Sequence, residues 1–343
     1  METWPNLTAS IVINQTSTRS RRVGKVKRRG TESCAMAAAS APGKLILFGE
    51  HAVVFGEPAL STAIDLRTEV YARPHTSWLA DGMGLDEPRY AYVRAATNRA
   101  WSGSPLWFEV RSMLPIGSGL GSSAAVTVAT LGALESLQDR FDPAEIARAA
   151  FEVEHEVQGR ASPIDTSTST AGGGILVRRD EGDDLLWTIR RDTRSWSLHR
   201  CALPTLTFVV GDTGIGAATG PVVAGVKARV ERDPKAAAAV REIGQVTLEG
   251  LRALQRRDLA EAGRLMDRNH DRLNDLGVGH PALEKLVAAA RRHSFGAKLT
   301  GAGGGGSMIA LTDRPEAVAR AIEAAGGRAF LVSTEPEGVR RIA

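Results

Sequence analysis

Between Leu114 and Ala125 the chain reads Leu-Pro-Ile-Gly-Ser-Gly-Leu-Gly-Ser-Ser-Ala-Ala. Gly117, Gly119 and Gly121 free the backbone to turn its amides inward, and Ser122 and Ser123 follow where a helix must begin. Behind them Ala124, Ala125, Val128, Leu131 and Leu134 recur at helical spacing. A helix that opens there points four unpaired N–H groups and its positive dipole end back at the loop, which is the arrangement that best holds a phosphate. Taken alone, the stretch reads equally well as a serine-capped turn, so its meaning depends on what else the chain carries.

Four further clusters carry chemistry. Ala41-Pro42-Gly43-Lys44 leads into the apolar run Leu45 to Phe48, then Gly49-Glu50-His51 and a second apolar run, Ala52 to Phe55, so a lysine, a glutamate and a histidine bracket one short strand. Glu154 and Glu156 flank the apolar stripe of a later helix, about 80° to either side of it, and periodicity does not choose between them. Asp165 is followed by the hydroxyl run Thr166 to Thr170 and by Gly172 to Gly174; the plain alternative for this segment is an Asx or Ser/Thr turn. Ala297 to Ser307 holds five glycines between strand-like runs. Together these residues supply what phosphoryl transfer asks for: a cradle for a triphosphate, hard oxygen donors for a metal on its β and γ oxygens, and a group to orient the acceptor hydroxyl. The chain has neither G-x-x-x-x-G-K-[ST] nor the protein-kinase signatures, so neither of those nucleotide-binding folds is indicated.

The elements that must position these groups are legible in outline. Strands are expected at Leu45 to Phe48, 59 to 73, Leu106 to Ser112, Thr205 to Val210, Met308 to Leu311 and Ala329 to Val332. A hairpin or connector is expected across Arg178 to Arg200, and loops at Ser77 to Arg89 and Gly211 to Gly220. Helices are expected at Tyr90 to Trp101, from Ser122, and from Asp142-Pro143-Ala144-Glu145, which has an N-cap, a proline at N1 and an acid at N3. Four more follow at Ala236 to Gln255, Asp258 to Leu276, Pro281 to Arg292 and Pro315 to Ala325.

A chain of 343 residues suits one large or two ordinary domains. Its net charge of +4 suggests nucleic acid only until the charge is located: of 43 basic and 39 acidic residues, seven and two fall in the first 35, leaving 36 and 37. The body is near neutral, which removes the case for a nucleic-acid partner. The longest uncharged apolar-rich run, Ala124 to Leu134, is about half the roughly 20 residues of a bilayer span, so no membrane is expected. Cys34 and Cys201 are too few for a disulfide framework or a cysteine-based zinc site and fit a reducing, cytoplasmic setting. Residues 1–35 lack apolar periodicity and are expected to have no fixed structure. They read as an over-called start before Met36, a disordered basic arm, or an Arg- and Ser-rich transit peptide.

Ala41 to Gly56, Pro115 to Ala125 and Lys298-Leu-Thr-Gly-Ala-Gly-Gly-Gly-Gly306 resemble the three ordered motifs of the GHMP small-molecule kinases. Within them, the first motif is similar to that of the mevalonate kinase family. Gly159 to Thr166 resembles the archaeal form of that family's aspartate loop, and Asn269-His270 and Leu276-Gly277-Val278 add to a likeness that runs from about Ala39 to the C-terminus. The resemblance implies an α+β fold of two domains with the active site in the cleft between them. Residues 36–200 would form a βαβ-type, ATP- and Mg2+-binding catalytic domain, and residues 201–343 a ferredoxin-like one. It implies nucleotide contacts at Pro115, Gly117, Ser118, Gly119, Leu120, Gly121, Ser122, Ser123, Ala124, Gly301, Gly303 and Gly304, with Ser122 and Glu154 as magnesium ligands. Asp165 corresponds to the catalytic aspartate facing the acceptor's primary hydroxyl and Lys44 to its neighbouring lysine, while Glu50, His51 and Thr219 correspond to substrate-side residues. The sequence departs from the pattern at Gly216-Ala217-Ala218, where many relatives carry a proline and a basic residue. The reaction implied is ATP-dependent phosphorylation of mevalonate to 5-phosphomevalonate by a homodimer. The alternatives are a sister kinase acting on phosphomevalonate or homoserine, or a non-catalytic small-molecule sensor.

Overall fold

The computed structural model describes residues 36–342 apart from 116, 160, 181, 217 and 218. The expectations for residues 1–35 lie outside the described residues. The lysine-bearing strand β1 (Ala37–Phe48) runs antiparallel to the 16-residue β2 (Ala59–Pro74). Between them the apolar run Ala52–Phe55 closes into a 3-10 turn, bracketed by left-handed residues at His51 and Gly56. A ribbon of two-residue strands, β3 (Leu79–Ala80) and β4 (Met83–Gly84), occupies part of the expected loop and leads to α1 (Ala91–Ala100) and β5 (Leu106–Ser112). Helices α2 (Ser122–Leu137), α3 (Pro143–Gln158) and α4 (Ile164–Ala171) carry the chain to β6 (Gly174–Arg178) and the hairpin β7 (Leu185–Arg191) and β8 (Arg194–Cys201). β5 and β6 both pair antiparallel with β2, at its residues 68–74 and 59–62. They therefore run the same way along one edge of β2, and α2 to α4 make the βαβ crossing between them.

The second sheet belongs to the C-terminal half. After β9 (Thr207–Asp212) come α5 (Thr219–Arg232), α6 (Pro234–Gln255), α7 (Leu259–Asp275) and α8 (Pro281–Arg291), then β10 (Gly296–Thr300), β11 (Ser307–Leu311), α9 (Pro315–Ala324) and β12 (Arg328–Ser333). The strand order β10-β11-β9-β12, antiparallel throughout, is the β-α-β-β-α-β ferredoxin-like arrangement. The last strand, β13 (Arg340–Ile342), leaves this half and pairs with β1. The buried Arg67 secures that return, its guanidinium donating to the Ser40 hydroxyl and to the carbonyls of Ser40, Glu337 and Gly338.

Local chemistry explains most of these elements. Asp142 caps α3 by accepting from the amides of Ala144 and Glu145, and Asp258 caps α7 through the Glu261 amide. α2 is buried nearly all round, as its Ala- and Val-rich sequence allows, and packs between the first sheet and α1 and α3. The hydroxyl run after Asp165 is a buried helix, which sets aside the plain alternative of a turn, because Thr168 and Thr170 satisfy their hydroxyls on the carbonyls of Ile164 and Thr166 four residues back. The expected loop 211–220 is shorter, since β9 continues to Asp212 and α5, weakened in propensity by Gly220, Pro221 and Gly225, begins at Thr219.

Candidate active site

The first cluster forms around Lys44. Its amide donates to the Leu120 carbonyl at 2.9 Å, so strand and glycine loop are stitched together before any side chain is placed. Its ammonium, almost completely buried, donates to the Gly119 carbonyl and pairs with Asp165 Oδ2, each at 3.1 Å. Asp165 sits in the first turn of α4 with 29% of its side chain exposed, so this pair is open to an incoming molecule. Gly121 has φ +79, and a Cβ there would lie 2.8 Å from Lys44 Cγ, so the glycine serves both the turn into α2 and the seat of the lysine. Pro115 accepts from the Ser118 hydroxyl at 2.8 Å, and Leu120 and Ala124 are buried behind the loop.

The two glutamates of α3 differ in what faces them, Glu154 turning to the start of α2 and Glu156 to α1. Glu156 is exposed and reaches only Arg99, 3.9 Å away. Glu154 is buried, and its Oε1 accepts from the Ser123 hydroxyl at 3.0 Å and from Gln158 Nε2 at 3.5 Å. The hydroxyl facing Glu154 is thus that of Ser123, one residue beyond the expected Ser122; successive residues at a helix start are about 100° apart, and the second serine has the facing direction. Among the described residues Ser122 makes no side-chain hydrogen bond to Glu154. Burial first, and the Asp165 charge second, push the Glu154 carboxyl up to about 8, against the opposing pull of the Ser123 bond and Lys44. Two carboxylates near one ammonium make a site that a hard divalent cation would suit. No group of three or more His, Cys, Asp or Glu side chains able to hold a metal occurs among the described residues, so such an ion would rely on few protein oxygens and on the phosphates it accompanies. Tyr92, unmarked in the sequence, shares hydrogen bonds with Ser123 and Gln158, and burial raises its phenol.

The C-terminal half meets this cluster through β10. Glu50 forms a sealed ion pair with Lys298, whose ammonium also donates to the Leu299 carbonyl at 2.7 Å. Burial pushes the carboxyl up and the ammonium down, and each draws the other back. His51, at φ +61, donates from Nε2 to the Ala302 carbonyl at 2.8 Å, which fixes its tautomer, and burial lowers its basicity. The Thr300 hydroxyl donates to the Ile46 carbonyl at 3.2 Å. Every glycine from 301 to 306 has positive φ, and at Gly303 a Cβ would stand 2.2 Å from the Val278 carbonyl. The Gly304 amide donates to that same carbonyl at 2.8 Å, while His270 Nδ1 accepts from the Leu299 amide, which gives the Asn269-His270 and Leu276 to Val278 stretches their structural reason. The two glycine loops converge, since a Cβ on Gly119 would lie 3.8 Å from the Thr300 carbonyl. Thr219 starts α5, and its side chain lies outside the described residues. Lys298 was not among the expected site residues; only its place at the head of the last glycine motif marked it. Two hollows of about 320 and 480 Å³, bordered by Asp184, Arg200 and Cys201, include none of these groups.

Residues 90–173 match the GHMP kinases N terminal domain and residues 251–330 match GHMP kinases C terminal. The chain is 35% identical to mevalonate kinase from Pyrococcus abyssi, over 88% of this chain and 96% of the relative. It is 36% identical to that from Archaeoglobus fulgidus, over 88% and 98%. The crystal structure of L. major mevalonate kinase in complex with R-mevalonate superposes with a TM-score of 0.75, 29% identity, and coverage of 87% and 96%. The fold is that of a GHMP-type small-molecule kinase, an ATP-using enzyme. The chain belongs to the mevalonate kinase family. No helix among the described residues is long and apolar enough to cross a membrane.

Proposed function

We propose that this chain transfers the γ-phosphoryl group of ATP to the primary hydroxyl of mevalonate, with Mg2+, yielding 5-phosphomevalonate and ADP. The observation that carries the reading is the Lys44–Asp165 pair, half open at the mouth of the glycine loop that also holds Lys44. The loop amides between Gly117 and Ser123 cradle the phosphates. Ser123 and Glu154 would hold the magnesium ion, Ser123 in preference to Ser122 because its hydroxyl already faces the carboxylate. Bound there, the ion supplies charge neutralisation on the β and γ phosphates. Lys44 stabilises negative charge as it passes to the transferred group. Asp165 orients the acceptor hydroxyl, and in a loose, metaphosphate-like transition state the alcohol sheds its proton late. His51 and Thr219 lie on the acceptor side. Glu50, sealed against Lys298, supports that side from beneath without touching the acceptor. Residues 36–200 act as the nucleotide and catalytic domain and 201–343 as the closing domain, in a homodimer.

The phosphate of a phosphomevalonate acceptor would call for arginines at the site; Arg178 is already taken by Asp184 at 2.8 Å, and Arg160 lies outside the described residues. A coupled ADP-release assay across mevalonate, phosphomevalonate and homoserine, with and without magnesium, tests the reading. Magnesium-dependent turnover on mevalonate at least tenfold above the other two is expected. Turnover on none of the three would leave a binding protein on a kinase scaffold.

A further inference from the structure

The site holds two lysine–carboxylate pairs, one open and one sealed, and Lys298 of the sealed pair has no role so far beyond holding Glu50. The side chains of Lys298 and Glu50 are 0% and 1% exposed. Glu50 Oε2 is buried with no hydrogen-bond partner among the described residues. Sealing two charges costs several kcal/mol per ion, and the attraction between them seldom repays this as stability alone. Nor is the pair needed to join the two halves of the molecule. His51 to Ala302, Thr300 to Ile46 and the Gly49 amide to Asn269 Oδ1 already cross the same boundary.

Lys44 supplies the missing reason. Lys298 shares a face of β10 with Thr300, whose hydroxyl donates to the carbonyl of Ile46, two residues along β1 from Lys44, so the sealed pair borders the strand that carries the ammonium seated on Asp165 Oδ2 and the Gly119 carbonyl. Glu50 is therefore a rival acceptor for that ammonium, and in a dry setting the rival's pull is stronger than in water. We propose that Lys298 is a positioning residue for phosphoryl transfer: by occupying Glu50 it leaves the Lys44 ammonium to Asp165 and the glycine loop. With Lys298 removed, Lys44 swings toward the buried carboxylate and Asp165 loses its partner.

The inference rests on the kinase reading, and two kinds of measurement keep them separable. In turnover, Lys298→Met lowers kcat by about 30-fold with the KM for ATP within about twofold, and adding Glu50→Gln recovers about tenfold of that loss. A packing role would leave the double variant as slow as the single, because Glu50→Gln removes a charge and refills no space. That result, or a folded Lys298→Met with kcat within about twofold of wild type, overturns the proposal. Independently of turnover, a crystal structure of Lys298→Met shows Lys44 Nζ nearer Glu50 than Asp165; Lys44 still seated on Asp165 overturns the proposal even if the kinase reading stands. A displaced Lys44 in a protein that phosphorylates no mevalonate supports the positioning and sinks the substrate assignment instead. Where Lys298→Met does not fold, Glu50→Gln/Lys298→Met, which buries no charge, decides. Lys44 on Asp165 with kcat within about tenfold of wild type supports the proposal, and a displaced Lys44 or a larger loss overturns it.

Discussion

The Lys44–Asp165 and Glu50–Lys298 pairs are chemically alike and differ in burial. In the first the carboxylate is nearly one-third exposed, and in the second neither side chain reaches solvent. The open pair lies between a loop whose three glycines all have positive φ and a second buried carboxylate, Glu154, whose charge is resisted by its surroundings. The sealed pair lies among contacts that are already complete, the His51 and Thr300 bonds and a glycine loop tied to Val278 and Ile215. Unspent charge at the open pair marks where chemistry is done. Spent charge at the sealed pair marks what holds the chemistry in place.

The sharpest way to break this contrast is to neutralise the open carboxylate. Asp165→Asn is expected to lower kcat by about 10³-fold or more while ATP affinity changes by less than about threefold, read by steady-state kinetics and nucleotide titration. Near-normal turnover would remove Asp165 from the mechanism. Stability separates the pairs in the opposite sense. Lys298→Met strips a buried carboxylate of its sealed partner, which Lys44 replaces only by leaving Asp165, and is expected to cost about 3–5 kcal/mol in urea unfolding. Lys44→Met, whose partner Asp165 keeps access to water, should cost about 1–2 kcal/mol. Equal costs would mean the two pairs are not different in kind.

Much of this arrangement is written locally in the sequence. The glycine loop, Lys44, Asp165 and the cap at Asp142 are recognisable because residue type and spacing carry their chemistry within a few positions. What is not written locally is who faces whom. Lys298 and Glu50 are 248 residues apart, and nothing near either names the other. Glu154 and Glu156 are equivalent edges of one stripe until the start of α2 meets the first and leaves the second exposed beside Arg99 of α1. Ser122 and Ser123 differ only by the phase of a helix whose start is set by Gly121. α4 is hidden because a run of threonines and serines has the composition of a turn, and only burial makes back-bonding to the helix carbonyls its best use of those hydroxyls.

That serine phase gives a finer test within the open half. Ser123→Ala should raise the magnesium concentration needed for half-maximal rate by about tenfold, whereas Ser122→Ala should change it by less than about threefold. The reverse order would move the metal contact to Ser122. The smallest effect belongs to the sealed half. Burial holds the imidazoles of His51 and His270 below their ordinary range, so both are neutral in the fold and take up a proton more readily once unfolded. The stability they contribute is complete above about pH 6.5 and is lost as the pH falls through their lowered folded values. Urea midpoints from pH 7.5 to 5 should therefore fall less steeply in His270→Gln than in wild type, and parallel slopes would contradict this.

The most direct measurement is a crystal structure of the wild-type chain with a non-hydrolysable ATP analogue, Mg2+ and mevalonate. The terminal phosphate is expected on the amides between Gly117 and Ser123, and the primary hydroxyl of mevalonate in hydrogen-bond contact with Asp165, Lys44 still at its side. Nucleotide bound away from that loop, or an acceptor hydroxyl that does not meet Asp165, would contradict this.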